Sequence, residues 1–318
     1  MSQPCRGGGC PNRRFNERDT LLAEPGVFAT RIGASFERVA RDLRGMDGLV
    51  TVTSNPVAVM TQIGGLPQAS RAGERFAGPK SGAALRLRPE SVAAALAVER
   101  AACGRAPCSV RFFTPEGGAL HKVFLPSLID DYAFAELTVD WGAAEDVGAA
   151  ETAVRDARAP DAACWSRRGL GFHLDSLFGD GGLRRRTLLP AWGRDEAWRI
   201  DPELAVQCLG LMNEARAPVT IIVPNEAFAQ MHVGALDDVR RAGDRLRLCA
   251  GDCSVSLDMA EVDEVWVTRH DERGRAGLTV EFYDWGFQCV AQITETGDDP
   301  RLARFWRRSV EALPPLRA

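Results

Sequence analysis

Several common signatures are missing from this sequence, and each absence removes a class of protein. Its 318 residues hold no apolar run near the roughly 18–20 residues that a membrane-spanning helix requires. The opening MSQPCRGGGC lacks the apolar centre of a signal peptide, so a cytoplasmic protein with no membrane insertion is expected. There is no excess of positive charge: 39 Lys and Arg stand against 43 Asp and Glu, a net charge of −4, which gives no general attraction to nucleic acid or to an anionic bilayer. No P-loop, no G-x-G-x-x-G after a strand, no H-E-x-x-H and no G-x-S-x-G occurs. The nine cysteines include no C-x2-C pair; Cys5-x4-Cys10, Cys103-x4-Cys108 and Cys249-x3-Cys253 lack the spacing of a structural zinc site. An odd count rules out a complete set of internal disulfides, and buried thiols are expected.

What is present is ordinary in amount, with 45% hydrophobic and 26% charged residues, and unusual in arrangement. Residues 220–243, TIIVPNEAFAQMHVGALDDVRRAG, repeat residues 50–73, VTVTSNPVAVMTQIGGLPQASRAG, at an offset of 170. That offset brings Asn225 onto Asn55, Gly234 onto Gly64 and Arg241-Ala-Gly243 onto Arg71-Ala-Gly73. It still holds where Leu278-Thr-Val-Glu-Phe-Tyr283 falls on Cys108-Ser-Val-Arg-Phe-Phe113 and Ile293 on Val123. A register kept over that length predicts a tandem duplication, with two similar modules facing one another. The expected divisions are a mobile tail at 1–30, a first repeat at 31–141, a connecting segment at 142–200 and a second repeat at 201–318.

Within this frame the spacing of apolar residues predicts a helix from Ser35, its N-cap, through Met46. Strands are expected at 49–53 and 57–63 around a Ser-Asn-Pro turn, with a loop over 68–82. Ala84 to Arg88 alternates, placing Arg86 and Arg88 on one face and the leucines on the other. A helical turn and a strand follow over 89–100, a hairpin spans 109–125, and Asp130-Asp131 opens a short helix. In the second copy Asp201-Pro202 caps a helix over 202–214 with Leu204, Cys208 and Leu211 inward. Strands follow at 219–223, 227–233, 245–249, 253–257, 264–269, 278–283 and 288–294. Asp299-Pro300 caps a last helix with Leu302, Phe305, Trp306 and Val310 on one side.

Ser109-Val-Arg-Phe-Phe-Thr-Pro-Glu-Gly-Gly-Ala-Leu-His-Lys-Val-Phe-Leu125 resembles the "LQFFD-G-AVHK" hairpin of the bacterial hemin-degrading and haem-trafficking proteins of the HemS/ChuS/PhuS type. Ala229-Gln-Met-His-Val-Gly234, Glu264-Val-Trp-Val-Thr-Arg269 and Phe305-Trp-Arg-Arg308 carry the same resemblance into the second copy. It implies an α+β fold, an internal duplication of an antiparallel β-sheet module with flanking helices, and a ligand cleft for haem between the copies. The family's axial histidine, in a "V-H-Q-F-F-S-L-L" pattern, corresponds to His173 of Phe172-His-Leu-Asp-Ser-Leu-Phe178, followed by Leu183 and Arg184 to Arg186. A neutral imidazole suits haem iron, and the alternative is a surface or capping histidine. The family's cleft arginine corresponds to Arg86, whose arm would reach a propionate or the iron's far side; the alternative is a solvated arginine on a strand face.

The chain also departs from the pattern. Of the family's "Q-L-Y-G-x-R" segment only Gln292 remains, with Thr294 at the tyrosine position and no arginine after Gly297. Propionates would then be held elsewhere, for instance by Arg184, Arg185 or Arg186. His270 stands where the family has lysine, as a second ligand candidate or a surface residue, whereas His121 and His232 fit structural strand positions. Cys10-Pro11 is a dipeptide that can ligate haem iron, and in a tail it is more often without a role. Three functions are implied: oxidative haem degradation with a reductant and oxygen, haem transfer to or from an importer or haem oxygenase, or a divergent regulatory protein without haem.

Overall fold

The computed structural model describes residues 16–74, 82–99, 108–125, 131–143, 170–178, 181–272, 275–296 and 299–316. The first half runs α1 (Glu17–Ala23), β1 (Phe28–Arg31), α2 (Phe36–Asp42), β2 (Leu49–Ser54), β3 (Ala58–Gly64), β4 (Gln68–Arg71), β5 (Gly82–Leu87), β6 (Ala94–Glu99), β7 (Ser109–Phe113), β8 (Ala119–Phe124) and α3 (Asp131–Ala143). Next come α4 (Leu170–Asp175), α5 (Gly181–Leu188), β9 (Ala197–Ile200), α6 (Pro202–Glu214), β10 (Pro218–Pro224), β11 (Phe228–Ala235), β12 (Asp238–Ala242), β13 (Arg245–Ala250) and β14 (Cys253–Asp258). The chain continues with β15 (Val262–Glu272), β16 (Arg275–Asp284), β17 (Cys289–Glu295) and α7 (Pro300–Glu311).

The local signals act as the sequence leads one to expect. Ser35, Asp201 and Asp299 each accept a backbone N–H at the start of α2, α6 and α7, and proline fills the first turn of the last two. Strand β2, Leu-Val-Thr-Val-Thr-Ser, alternates strictly between buried and half-buried positions.

The two sheets are not the two repeats. One is β1-β6-β7-β8-β2-β3-β14-β13-β12 and the other β4-β5-β11-β10-β17-β16-β15-β9, so each takes strands from both halves of the chain. The exchange is symmetric. Ala58 pairs with Leu257 where β3 meets β14, and Phe228 with Leu87 where β11 meets β5, each residue lying 170 from its counterpart. All pairs are antiparallel except β4 with β5.

Asn55 and Asn225 lock the junction. The side-chain oxygen of Asn55 accepts from Val57 and Ala58 N–H, while its Nδ2 crosses to the Pro224 and Val290 carbonyls at 2.8 Å each. Asn225 repeats every contact with Ala227, Phe228, Ser54 and Leu120. A hydrogen bond of this kind contributes about 1 kcal/mol, and truncating either side chain would leave buried carbonyls unpaired.

Helices cover the outer faces. Ala205, Cys208, Leu209 and Met212 of α6 and Trp306 and Val310 of α7 pack on one face of the second sheet. Leu174, Leu177, Phe178 and Leu189 cover its other face, against Ala84, Ile222, Ala229, Met231, Trp266, Tyr283 and Cys289. Val39, Leu43, Phe134 and Trp141 of α2 and α3 serve the first sheet.

Several expectations change. The tail expected through residue 30 already forms α1 and β1 from residue 17, with β1 paired to β6. Residues 197–200, expected in the connecting segment, are β9, which pairs with β15 as β1 does with β6. The loop expected over 68–82 begins with β4, and β12 is its unforeseen counterpart. The buried side of α6 is rotated from the expected one: Ala205, Leu209 and Met212 are buried with Cys208, and Leu211 is 48% exposed. In α7, Phe305 likewise turns outward while Ala303 is buried. Cys208, Cys253 and Cys289 are buried free thiols, Cys108 is buried and Cys249 half-buried; Cys5, Cys10, Cys103 and Cys164 lie outside the described residues. Burial pushes the Cys208 thiol up to about 11 and Cys253 up to about 12, so neither is a reactive thiolate.

Candidate functional site

Strand exchange carries Arg86, a first-half residue on β5, to the same sheet face as α4. There its fully buried guanidinium takes both oxygens of Asp175, with Nε to Oδ1 at 2.7 Å and Nη2 to Oδ2 at 2.8 Å. It also donates to Ser70 Oγ and the Glu74 carbonyl, and Gly73 N–H donates to the same carboxylate. Asp175 lies two residues beyond His173, so this bidentate pair fixes the short helix that carries the imidazole.

His173 points inward and is 8% exposed. Its Nε2 lies 2.8 Å from Gln292 Oε1 on β17. An amide oxygen only accepts, so Nε2 carries the proton. The other end of the Gln292 side chain, Nε2, has no hydrogen-bond partner among the described residues. Burial, with the Arg185 charge beside it, pushes the His173 pKa down to about 3, so the ring is neutral at physiological pH. The His270 ring lies 6.4 Å away, its Nδ1 3.3 Å from Thr279 Oγ1.

The floor beneath is a dense polar network. Glu281, fully buried on β16, accepts from Arg185 of α5 through Nε at 2.9 Å and through Nη2, and from Tyr283 Oη at 2.6 Å and Thr268 Oγ1. Burial alone would raise this carboxyl; Arg185 overrides it and holds the group down at about 2. The same pairing raises Arg185 against the opposing effect of burial. Tyr283 is pushed well above its ordinary range by burial. At the rim, Arg186 pairs with Glu264 and lies over the rings of Trp266 and Phe287 at 5.3 and 5.0 Å. Arg199 and the Trp266 indole also donate to Glu264.

Of the expected site residues, His173, Gln292, Arg185 and Arg86 converge on this face, and His270 joins them. Arg184 is exposed, so the three consecutive arginines separate into an exposed, a buried and a half-buried side chain. Arg86 meets Asp175 of the histidine's own helix. Thr294 is buried and donates to the Leu278 carbonyl; Gly297 and Cys10-Pro11 lie outside the described residues. His121 stacks on Phe228 at 4.9 Å, and its Nδ1 contacts Thr53 in the core between the sheets. His232 is buried on β11, where burial lowers its pKa. Sequence reasoning missed Asp175, Glu281, Tyr283 and Thr268. Glu281 and Tyr283 had one local signal, the alternation that sets polar side chains on a single face of a central strand.

A family model for the haemin-degrading HemS/ChuX domain matches residues 14–141 and again 182–313. The chain belongs to the haemin-degrading HemS/ChuX family. His173 falls in the interval between its two matched segments. Hemin transport protein HemS of Yersinia enterocolitica is 23% identical over 217 residues, covering 64% of this chain and 62% of that protein, so the match spans less than two thirds of the relative's length. The structure of holo-PhuS, a heme-binding protein from Pseudomonas aeruginosa, superposes with a TM-score of 0.71 at 21% identity, over 91% of this chain and 87% of that one. ChuS, an E. coli heme oxygenase, gives 0.66 at 17% identity, over 90% and 89%. These structural likenesses establish a shared HemS-type duplicated fold.

Proposed function

We propose that this family member binds haem between α4 and the face of the second sheet, with His173 as the iron ligand, and passes it on within the cytoplasm. The observation that carries this reading is a buried, neutral imidazole whose one short contact among the described residues is to another neutral group, Gln292. Such a ring is a ready ligand without first losing a charge. The surrounding Leu174, Leu177, Phe178, Ile222, Met231 and Trp266 suit an apolar macrocycle. The donor chemistry therefore fits haem. The packing is closed: at 2.8 Å nothing flat fits between His173 and Gln292, so the imidazole must swing away from the sheet before the ligand enters. Once the imidazole leaves Gln292, its ring proton shifts to Nδ1 and Nε2 becomes free to ligate.

Haem, when bound, would supply any redox chemistry; the chain's part is to ligate, orient and exclude water. Titration of haem into wild type and His173→Ala, followed by visible absorbance, tests the reading. Saturable uptake by wild type with a loss of affinity of about tenfold or more in the variant is expected. Reductant added in air to the loaded protein separates transfer from degradation: an unchanged spectrum indicates transfer, and bleaching with iron release indicates degradation. A second reading, a regulatory duplicate that has lost haem, draws on the same closed packing and on Thr294, and it follows if wild type takes up no haem.

A further inference from the structure

The arginines expected to hold haem propionates already have anionic partners. Arg86 is paired to both oxygens of Asp175, Arg185 to both of Glu281, and Arg186 to both of Glu264, which Arg199 also reaches. Two of these guanidiniums are 0% and 2% exposed. For a propionate to capture Arg185, it must displace Glu281, which then stays in the low-dielectric interior without its cation, and that exchange is unfavourable. Glu281 is more firmly held still, since Tyr283 and Thr268 donate to it as well. The one hydroxyl left at the tyrosine position, Thr294, donates to a backbone carbonyl. Beside this polar network, Leu174, Leu177, Phe178, Ile222, Met231 and Trp266 pack in one apolar cluster on the same sheet face.

From this arrangement we infer that the site selects its macrocycle by iron ligation and apolar packing and not through carboxylate salt bridges. It therefore takes metallated tetrapyrroles whose side-chain carboxylates are esterified, absent or left in solvent. The inference rests on the haem-binding reading above and narrows its ligand class. Arg184, exposed on α5, can meet a propionate at the surface, where such contacts are weak.

Full-length protein titrated in parallel with haem and with haem dimethyl ester provides the test. Affinities within about threefold of one another are expected, with little change between low and high salt. An ester that binds about thirtyfold or more weakly than haem would overturn the inference while leaving haem binding intact. If neither ligand binds, the haem-binding reading falls and takes this inference with it. Glu281→Gln, which frees Arg185, should raise the preference for haem over its ester by about tenfold. Should that variant fail to fold, Glu264→Gln, which weakens the hold on half-buried Arg186, is expected to act in the same direction more weakly. A preference unmoved by a folded Glu281→Gln would show that the pairing with Glu281 is not what withholds Arg185 from a propionate, and would overturn the inference.

Discussion

The two sheets present equivalent faces that have been filled in opposite ways. Across the first sheet run Leu96, Arg111, Lys122 and Val52 as cross-strand neighbours; across the second, at the same positions, run Trp266, Glu281, Gln292 and Ile222. The first row is basic and is closed by α1, whose Leu21 packs on Leu96, Val98 and Phe113 while Glu17 reaches Lys122. The second row is an acid and an amide, met by a cation from α5 and an imidazole from α4. The residue 170 before His173 is Gln3, in the opening segment, so the first face has no matching histidine. Duplication thus supplied one frame twice. One copy closes its face with a half-exposed ion pair, and the other holds a buried network around a neutral imidazole.

Breaking each network should separate the faces most. Arg185→Ala leaves Glu281 charged and fully buried, a loss of about 3–5 kcal/mol. Lys122→Ala on the first face removes a partly exposed pair and should cost at most about 1 kcal/mol. Urea unfolding of both variants measures the difference, and equal losses would mean that the two faces are energetically alike.

Acid should sharpen the same contrast. The folded pKa of His173 is about 3 against an ordinary 6.5. Between those values the unfolded chain binds the proton and the folded one does not, so stability present above pH 6.5 is lost as pH falls toward 3. Glu281, held near 2 against 4.5, adds a loss that begins below pH 4.5. Unfolding free energies measured across this range should therefore fall more steeply in wild type than in His173→Ala. His121, also about 3 by burial, keeps part of the slope in that variant.

A kinetic difference should follow from the helix clamp. Asp175→Asn weakens the hold of Arg86 on α4 and should speed haem association several-fold, read by stopped-flow absorbance, whereas Glu17→Gln on α1 should leave it unchanged. The smallest effect expected is that of Thr294→Val, which loses one hydroxyl bond to Leu278 and about 1 kcal/mol of stability.

Much of this frame was legible in the sequence because its signals are local. The 170 offset, the caps at Ser35, Asp201 and Asp299, and the alternation of β2 each act within a few residues or repeat in register. The resemblance singled out His173, Gln292, Arg86 and Arg185, which the structure brings to one sheet face. The strand exchange was not, since a duplicated sequence has the same register whether β5 and β14 stay with their own copy or cross over. The pairing of Arg185 with Glu281, 96 residues apart, and the hold of Arg86 on Asp175, 89 apart, leave no local trace. The resemblance offered Arg86 for a propionate or the iron's far side and Arg185 for a propionate, and the structure pairs them with half-buried Asp175 and fully buried Glu281.

Haem binding by this protein depends on the imidazole of His173 reaching the iron. Magnetic circular dichroism of haem-loaded wild type and His173→Ala, with free imidazole then added to the variant, tests that most directly. A histidine-type spectrum in wild type, its loss in the variant and its return with imidazole are predicted. Identical spectra for the two proteins before imidazole is added would contradict the assignment.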